Sequence, residues 1–427
     1  MNEKNYLLRF TRGIRILNEM TFPYRFKGDS VLGKQDRMLC DMLSYAIKHC
    51  EYYRNLNINE LKLSRFPLLT KQTIQNNYNS LISDEKDHFI YWDAYTGGTT
   101  GEPMHFLQQS CIDLPYQLML WRRMGYKRGD VVIAMTGTEV PQEDLANNIY
   151  WVEEGGKDIP YGRAELSSFY YNETRAPHYV DYLNNLKPAF IRGYPSFVYE
   201  FSKYLVEKGI TLGFSPKAIQ LTSEPSYEYQ YEMIRRAFHI DTIYLQYGHT
   251  ESSVFGYTYD NSFEYIIEPL YGVTEILDEE GNEVAVGQSG EIVVTSLYNR
   301  VMPLIRYKTG DIAVKGETID GKLHLKQIIG RTWDHIIDRD NNKVIDPMIF
   351  EDVAALASIA KWQIEQTEAG KITMHIVKGK QYSSKDEDEM RDIFDRIANV
   401  DVEFDYVDSI PGTARGKHKM IVQHLKS

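Results

Sequence analysis

The residues with the clearest chemical potential form the run TGGTTG, Thr96 to Gly101, inside YTGGTTGEP (Tyr95 to Pro103). Glycines let a backbone turn sharply and come close to an anion. Successive backbone N–H groups and threonine hydroxyls in such a turn make an anion-binding concavity. The run lies between YWDA and MHFL, which both have strand character, so a strand–turn–strand loop is expected. Thr96, Gly97, Gly98, Thr99, Thr100 and Gly101 would then form a phosphate cradle. No Gly-Lys-Ser/Thr follows, which separates this loop from the P-loop of kinases and ATPases. A polar hairpin without a ligand is the plainer reading of the same residues.

Six more polar loops carry complementary groups. They are GYPS (Gly193–Ser196), TSEPS (Thr222–Ser226), QYGHTE (Gln246–Glu251), YKTGD (Tyr307–Asp311), GRTWD (Gly330–Asp334) and PGTARGK (Pro411–Lys417). A carboxylate such as Glu251 is a hard oxygen donor of the kind Mg²⁺ prefers. Asp311, when ionised, is acceptor-only and can take hydrogen bonds from two donors at once. Lys417 is a point charge on a flexible stem. Taken singly, each has an ordinary explanation. Asp311 suits a turn after Gly310, Glu251 an exposed carboxylate, and Lys417 a solvated basic patch with Arg415 and Lys419.

These loops need elements to hold them. RMLCDMLSYAIKHCEYY (Arg37–Tyr53) puts Met38, Met42, Leu43, Ala46 and Ile47 on one helical face, and a second helix is expected after a cap near Thr70. A helix is expected around Leu114–Met124 and a strand over Asp130–Gly137, then a polar, aromatic stretch over 138–176 with weak periodicity. From there strands alternate with helices: HYVDYLNNL, PAFIRGY, PSFVYEFSKYLVEKG, PKAIQLTSEP, YEYQYEMIRRAFH and DTIYLQYGHTE. That alternation predicts a parallel, helix-covered sheet. In such sheets ligands bind outside the carboxyl ends of the strands, where several of these loops fall. Near residue 262 the pattern changes to EYIIEPL, VTEILDE, EVAVG, SGEIVVTSL, PLIRYKTGDIAVKGE and KLHLKQIIG, an antiparallel barrel or sheet. From residue 331 a small α+β unit follows, with strands WQIEQT and ITMHIVK, the helix KDEDEMRDIFDRIAN, and strands VEFDYV and KMIVQHL.

Composition narrows the function classes. The chain has 427 residues, enough for more than one domain, and 43% hydrophobic content, as in an ordinary globular protein. A net charge of -12 argues against a general binder of nucleic acid or anionic membrane. Cys40, Cys50 and Cys111 form neither a zinc pattern nor a disulfide framework, which points to a reducing compartment. No run suits a signal peptide or a transmembrane span, so a cytoplasmic protein without a membrane segment is expected.

Seven loops in this order resemble the adenylate-forming ligase superfamily of acyl-CoA synthetases, peptide-synthetase adenylation domains and luciferases. The nearest look is to the phenylacetate–CoA ligase branch and its capsular-polysaccharide relatives, the CapK-like proteins. The resemblance runs from residue 90 to the end. It implies an α/β fold with a large N-terminal AMP-binding domain of α/β sheets plus a β-barrel over 1–330. A small, mobile α+β lid follows over 331–427, and the active site lies in the cleft between them. It implies that a carboxylic acid attacks the α-phosphate of ATP, giving an acyl-adenylate and pyrophosphate. The acyl group then passes to coenzyme A, a carrier-protein thiol, or an amine or hydroxyl on a sugar.

The resemblance also assigns roles. Thr96 to Gly101 would hold the β- and γ-phosphates, and Glu224 and Pro225 the adenine side. Tyr247, followed by Gly248, would stack on adenine. Thr250 would bond the α-phosphate, Glu251 would ligate Mg²⁺, and Asp311 would take both ribose hydroxyls. Arg331 would lie near ribose and phosphate, and Lys417 would neutralise the reacting phosphate and carboxylate, while position alone places the acid near Tyr194, the 138–170 segment and His249. Two positions depart from the family's pattern. Glu102 stands where many relatives carry lysine, and Trp333 stands at the usual hinge position. They favour the main alternative, a non-catalytic member that binds nucleotide within a polysaccharide-assembly complex. A different nucleotidyl or phosphoryl transferase is a further alternative.

Overall fold

The computed structural model describes residues 30–425 apart from 97–103, 111, 128, 154–161, 260, 332–334, 345–348, 350–351, 354–355, 357, 380 and 414–415. Gly97, Gly98, Thr99, Thr100, Gly101, Glu102 and Trp333 lie outside the described residues. Two compact units divide the chain. One takes residues up to 128 with 244–328, the other 129–243 with 329–427.

In the first unit the helix Val31–His49 opens at Ser30, whose Oγ accepts the Gly33 N–H at 3.0 Å. It buries Met42, Leu43 and Ala46, the centre of the expected apolar face. Thr70 Oγ1 accepts the Thr73 N–H at 3.0 Å and caps the helix Lys71–Asn76, as its type and position predict. Strands Tyr91–Tyr95 and His105–Gln109 pair antiparallel, with Tyr95 opposite His105. The later strands run antiparallel in the order Gly272–Leu277, Ser289–Ser296, Tyr307–Ile319, Lys322–Arg331, Tyr265–Ile267, Phe255–Tyr257, Ile243–Gly248. EVAVG is not a strand. Its first residue, Glu283, makes only an isolated bridge to Leu277.

In the second unit Val132–Thr136, Ala164–Ser167, Phe190–Gly193 and Ala218–Thr222 pair parallel, and Trp151–Glu153 joins antiparallel at the edge. Every residue of Val132–Thr136 and of Ala218–Thr222 is buried, as a sheet covered on both faces requires. The helices Ala176–Leu186 and Pro195–Lys208 lie between these strands in sequence, and Glu228–Phe238 follows the last of them. Pro195–Lys208 starts at a proline, whose missing N–H has no helical partner to lose. It stops at Gly209, whose φ of 62° is the left-handed C-cap conformation.

The C-terminal part of this unit is a four-stranded sheet ordered Asp401–Tyr406, Lys371–Lys378, Ile359–Glu368, Ile421–Gln423. The helix Ser384–Ala398 buries Met390, Ile393 and Phe394, and these share one core with Ile364, Met374 and Ile376. Tyr227 belongs to the same core, so the start of the Glu228–Phe238 helix packs into it. Among the described residues no helix is long and apolar enough to cross a membrane.

Candidate active site

The Ala218–Thr222 strand ends in Ser223, a non-glycine residue with φ of 73°. That uncommon left-handed turn is followed by Glu224. Lys417 Nζ donates to the Ser223 carbonyl at 3.0 Å, and the His418 N–H donates to Glu224 Oε1 at 3.1 Å. The other carboxylate oxygen, Glu224 Oε2, accepts the Ser196 N–H at 3.0 Å from the first turn of the Pro195–Lys208 helix. The Lys417 ammonium also lies 5.5 Å from the centre of the Tyr194 ring. Tyr194 is itself buried, and its N–H bonds to the Met135 carbonyl at 2.9 Å. Three loops well apart in sequence therefore meet at one lysine.

The chain seats tightly on both sides of Lys417. The Ser168 hydroxyl donates to the Gly416 carbonyl at 3.2 Å. Gly416 has φ of 73°, and a β-carbon there would lie 2.4 Å from Ser168 Oγ, 2.9 Å from Phe169 Cε1 and 3.1 Å from Gly137 Cα. Thr413 N–H bonds to the Lys417 carbonyl at 2.8 Å and closes the loop. On the far side, His418 Nε2 donates to the Trp362 carbonyl at 2.9 Å, while its Nδ1 is buried without a partner among the described residues.

Charge beneath this contact is held in a partly desolvated environment. Burial raises Glu224, and the bonds from Ser196 and His418 and the Lys417 charge oppose that rise. Burial likewise lowers Lys361, whose Nζ donates to the Ile410 carbonyl at 2.8 Å, and Glu200 and Glu224 partly restore it. Burial raises Glu200, with Lys203 and Lys361 pulling the other way. Burial and the neighbouring Lys361 charge push the His418 imidazole down to about 3. It is neutral at pH 7.

The first unit holds a second group of sequence-predicted residues. Strand Ile243–Gly248 carries Tyr247, whose hydroxyl donates to Asp311 Oδ2 at 2.7 Å. An ionised carboxylate such as that of Asp311 is acceptor-only, and here it faces the Tyr247 hydroxyl. Beyond Gly248, His249 Nδ1 lies 3.1 Å from Glu251 Oε2, and Glu251 is only 4% exposed. Burial works to raise Glu251, but His249 and the Tyr307 hydroxyl outweigh it and hold the carboxyl down to about 2. Glu251 is thus an ionised oxygen donor inside the protein. Thr250 between them is half-buried.

The remaining sequence-predicted residues are placed as follows. Thr96 is buried, its N–H on the Met104 carbonyl at 3.0 Å and its Oγ1 accepting the Met104 N–H at 3.1 Å, so it closes the neck of the Tyr91–Gln109 hairpin. The rest of the proposed cradle lies outside the described residues. Pro225 follows Glu224 in the turn, and Arg331 is half-buried at the end of strand Lys322–Arg331. The sequence did not single out Glu200, Lys361 or His418. Lys361 carried a signal, a charged residue inside a strand whose alternate positions are apolar, and His418 stands directly after the PGTARGK loop.

Comparison with known proteins agrees with this architecture. Residues 336–424 match the family model of the CapK C-terminal domain. The chain is 23% identical over 420 residues to protein CapK of Staphylococcus aureus, covering 92% of this chain and 89% of that protein. Among solved structures it resembles 2-hydroxyisobutyryl-CoA ligase in a postadenylation state with 2-HIB-AMP. That match has a TM-score of 0.67 and 17% identity, over 90% of this chain and 88% of the other. It also resembles the anthranilate CoA ligase AuaEII in complex with anthranoyl-AMP, with a TM-score of 0.51 and 15% identity over 76% and 65% of the two chains. These likenesses establish the fold.

Proposed function

We propose, from the premise that the chain is a CapK-like protein with the adenylate-forming ligase fold, that it activates a carboxylic acid with ATP and passes the acyl group on. The observation that carries this reading is the meeting of Lys417 with Ser223, Glu224 and Tyr194, four residues drawn from three of the loops read in the sequence. A carboxylate attacking a phosphate brings two anions together, and a held ammonium offsets their repulsion. Lys417 is the group for that task. Its contact with the Ser223 carbonyl orients the ammonium without neutralising it.

The reading assigns the nucleotide to Tyr247, Gly248, Thr250 and Asp311 of the first unit, with Thr96 to Gly101 on the outer phosphates, and it assigns Arg331 near ribose. Asp311 suits ribose because Tyr247 orients its carboxylate, and an ionised carboxylate can accept from two hydroxyls. Glu251 suits Mg²⁺, which takes few protein carboxylates, because this buried carboxyl is held ionised. Mg²⁺ would supply charge neutralisation for the triphosphate. His249 and Tyr194 border the acid in this reading. The acceptor is coenzyme A or another thiol, amine or hydroxyl. A phenylacetate–CoA ligase-type activity and a place in capsule or exopolysaccharide assembly fit the CapK likeness. A small lid domain beginning at residue 331 belongs to the same proposal, supported by the match over 336–424.

ATP–pyrophosphate exchange over a panel of carboxylic acids, with Mg²⁺, tests the reading. One acid or a narrow class should drive exchange, and Lys417→Ala should lower it by about a hundredfold, the usual scale for losing a charge-stabilising group. Unimpaired exchange in that variant would remove Lys417 from the chemistry. Nucleotide binding without exchange on any acid would instead identify a non-catalytic nucleotide-binding member.

A further inference from the structure

We infer that Glu224 is a positioning residue for Lys417 and not a contact for adenine. The inference rests on the ligase reading for its consequence and on the geometry of one turn for its substance. Two consecutive residues, Ser223 and Glu224, hold two consecutive residues, Lys417 and His418. The Ser223 carbonyl takes the lysine ammonium at 3.0 Å, and Glu224 Oε1 takes the next backbone N–H at 3.1 Å. The second oxygen of the same carboxylate is spent on the Ser196 N–H at 3.0 Å. Both carboxylate oxygens thus engage main-chain donors of the protein itself, one in the Pro195–Lys208 helix and one beside Lys417.

Three features make this a device for position and not only a stabilising bond. Hydrogen bonds weaken steeply away from their preferred direction, so a carboxyl group that bridges two N–H groups sets the spacing between their chain segments. The bridged donor on the lysine side belongs to the residue directly after Lys417, so little slack separates the clasp from the ammonium. On the other side, the Gly416 carbonyl accepts the Ser168 hydroxyl, and Phe169 and Gly137 leave no room for a β-carbon at 416. Lys417 is therefore held at both neighbours and at its own Nζ. Glu224 is the side chain among these contacts that joins the loop to the helix start. Lys417 and Lys361 are the charges that act on this carboxylate from the other packed elements, and Lys361 contributes charge without replacing either hydrogen bond.

Two substitutions separate position from charge. Glu224→Asp keeps the negative charge but shortens the reach, so one of the two N–H groups must be released. Glu224→Gln keeps the length but presents one acceptor and one donor to two donors. The primary measurement is the acetylation rate of Lys417 in the substrate-free, full-length protein, read by mass spectrometry after a brief pulse of acetic anhydride. Lys217, whose Nζ is 2.8 Å from both oxygens of Asp130, is the internal reference.

Loss of a hydrogen bond to a charged group corresponds to about a tenfold rise in Lys417 labelling relative to Lys217, and it is expected in both variants. A rise in Glu224→Gln alone would mean that Glu224 acts only through its charge, and unchanged labelling in both would mean that it does not hold the loop. Either result overturns the inference. If Glu224→Gln does not fold, Glu224→Asp alone still decides, since an unchanged rate in it overturns the inference. Exchange kinetics give the functional readout. A positioning role lowers kcat by about tenfold with little change in the KM for ATP, whereas an adenine contact raises that KM with labelling unchanged. Absent exchange in the wild type would count against the ligase reading, while the labelling would still decide whether Glu224 holds Lys417.

Discussion

Replacing Gly416 by alanine tests the seat of Lys417 most directly. Gly416 has φ of 73°, which an L-residue reaches at a cost of about 1–2 kcal/mol. The added β-carbon would also stand 2.9 Å from Phe169 Cε1 and 3.1 Å from Gly137 Cα, and 2.4 Å from the Ser168 hydroxyl that bonds to residue 416. The hydroxyl could rotate away, but it would lose its bond, and the backbone at Gly137 cannot move alone. Gly209 provides the matched control. Its φ is 62°, and nothing lies within 4 Å of a β-carbon there. Gly209→Ala carries the backbone cost without the collision, so it should lower stability by about 1 kcal/mol and leave exchange unchanged.

In Gly416→Ala the loop must lift, and the contacts of Lys417 with Ser223 and of His418 with Glu224 go with it. The backbone term alone, about 1–2 kcal/mol, corresponds to a fall of about five- to thirtyfold in the seated population. The collision and lost bonds add to it. Exchange should therefore fall by at least about tenfold, while thermal unfolding shifts no further than in Gly209→Ala, since a lifted loop relieves the strain. Exchange within about twofold of wild type in Gly416→Ala would refute the claim that this seating holds the reactive lysine.

Two further outcomes follow from the buried ionisable groups. His418 is held down to about 3 in the folded chain, far below its ordinary value near 6.5. Its neutral form is the folded one, so its contribution is fully present above pH 6.5 and is lost as pH falls toward 3. His418→Gln, which can still donate to the Trp362 carbonyl and does not titrate, should flatten the acid limb of stability measured by urea unfolding at several pH values. An unchanged limb would count against an imidazole held neutral by the fold. Glu251 shows the carboxylate case, held down to about 2, so its stabilisation is present above its unfolded value near 4.5 and lost as pH falls toward 2. That shift is on the order of 3 kcal/mol, and Glu251→Gln should lose an appreciable part of it at pH 7 and little at pH 2, by the same unfolding measurement.

Much of the frame was legible in the chain because near neighbours determine it. The alternation of helix and strand between residues 176 and 248 comes from apolar periodicity, and the parallel sheet appears where that pattern requires it. Thr70 caps its helix because the capping bond is made within one turn. The short strand Ala164–Ser167 was hidden, since its four residues carry too little pattern to stand out from a polar, aromatic stretch. EVAVG has the composition of a strand, but beyond one bridge at Glu283 it does not join the sheet. Strand pairing is a property of two segments, and the second cannot be read from the first.

The sequence by itself determined the order of polar loops at the strand ends, the residue types they offer, and hence the class of chemistry they suit. Tertiary structure decided which of those residues meet and in what electrical environment. Lys417 and Ser223 are 194 residues apart, and Tyr247 and Asp311 are 64 apart. No local propensity encodes those contacts. Glu200 reads as a helix-surface carboxylate, and Lys361 as one charge in a strand. Burial turns them into groups whose charge is costly and whose partners matter. The physical reason is range. Backbone preference and capping act within a few residues, whereas desolvation and charge pairing depend on surfaces that folding alone brings together.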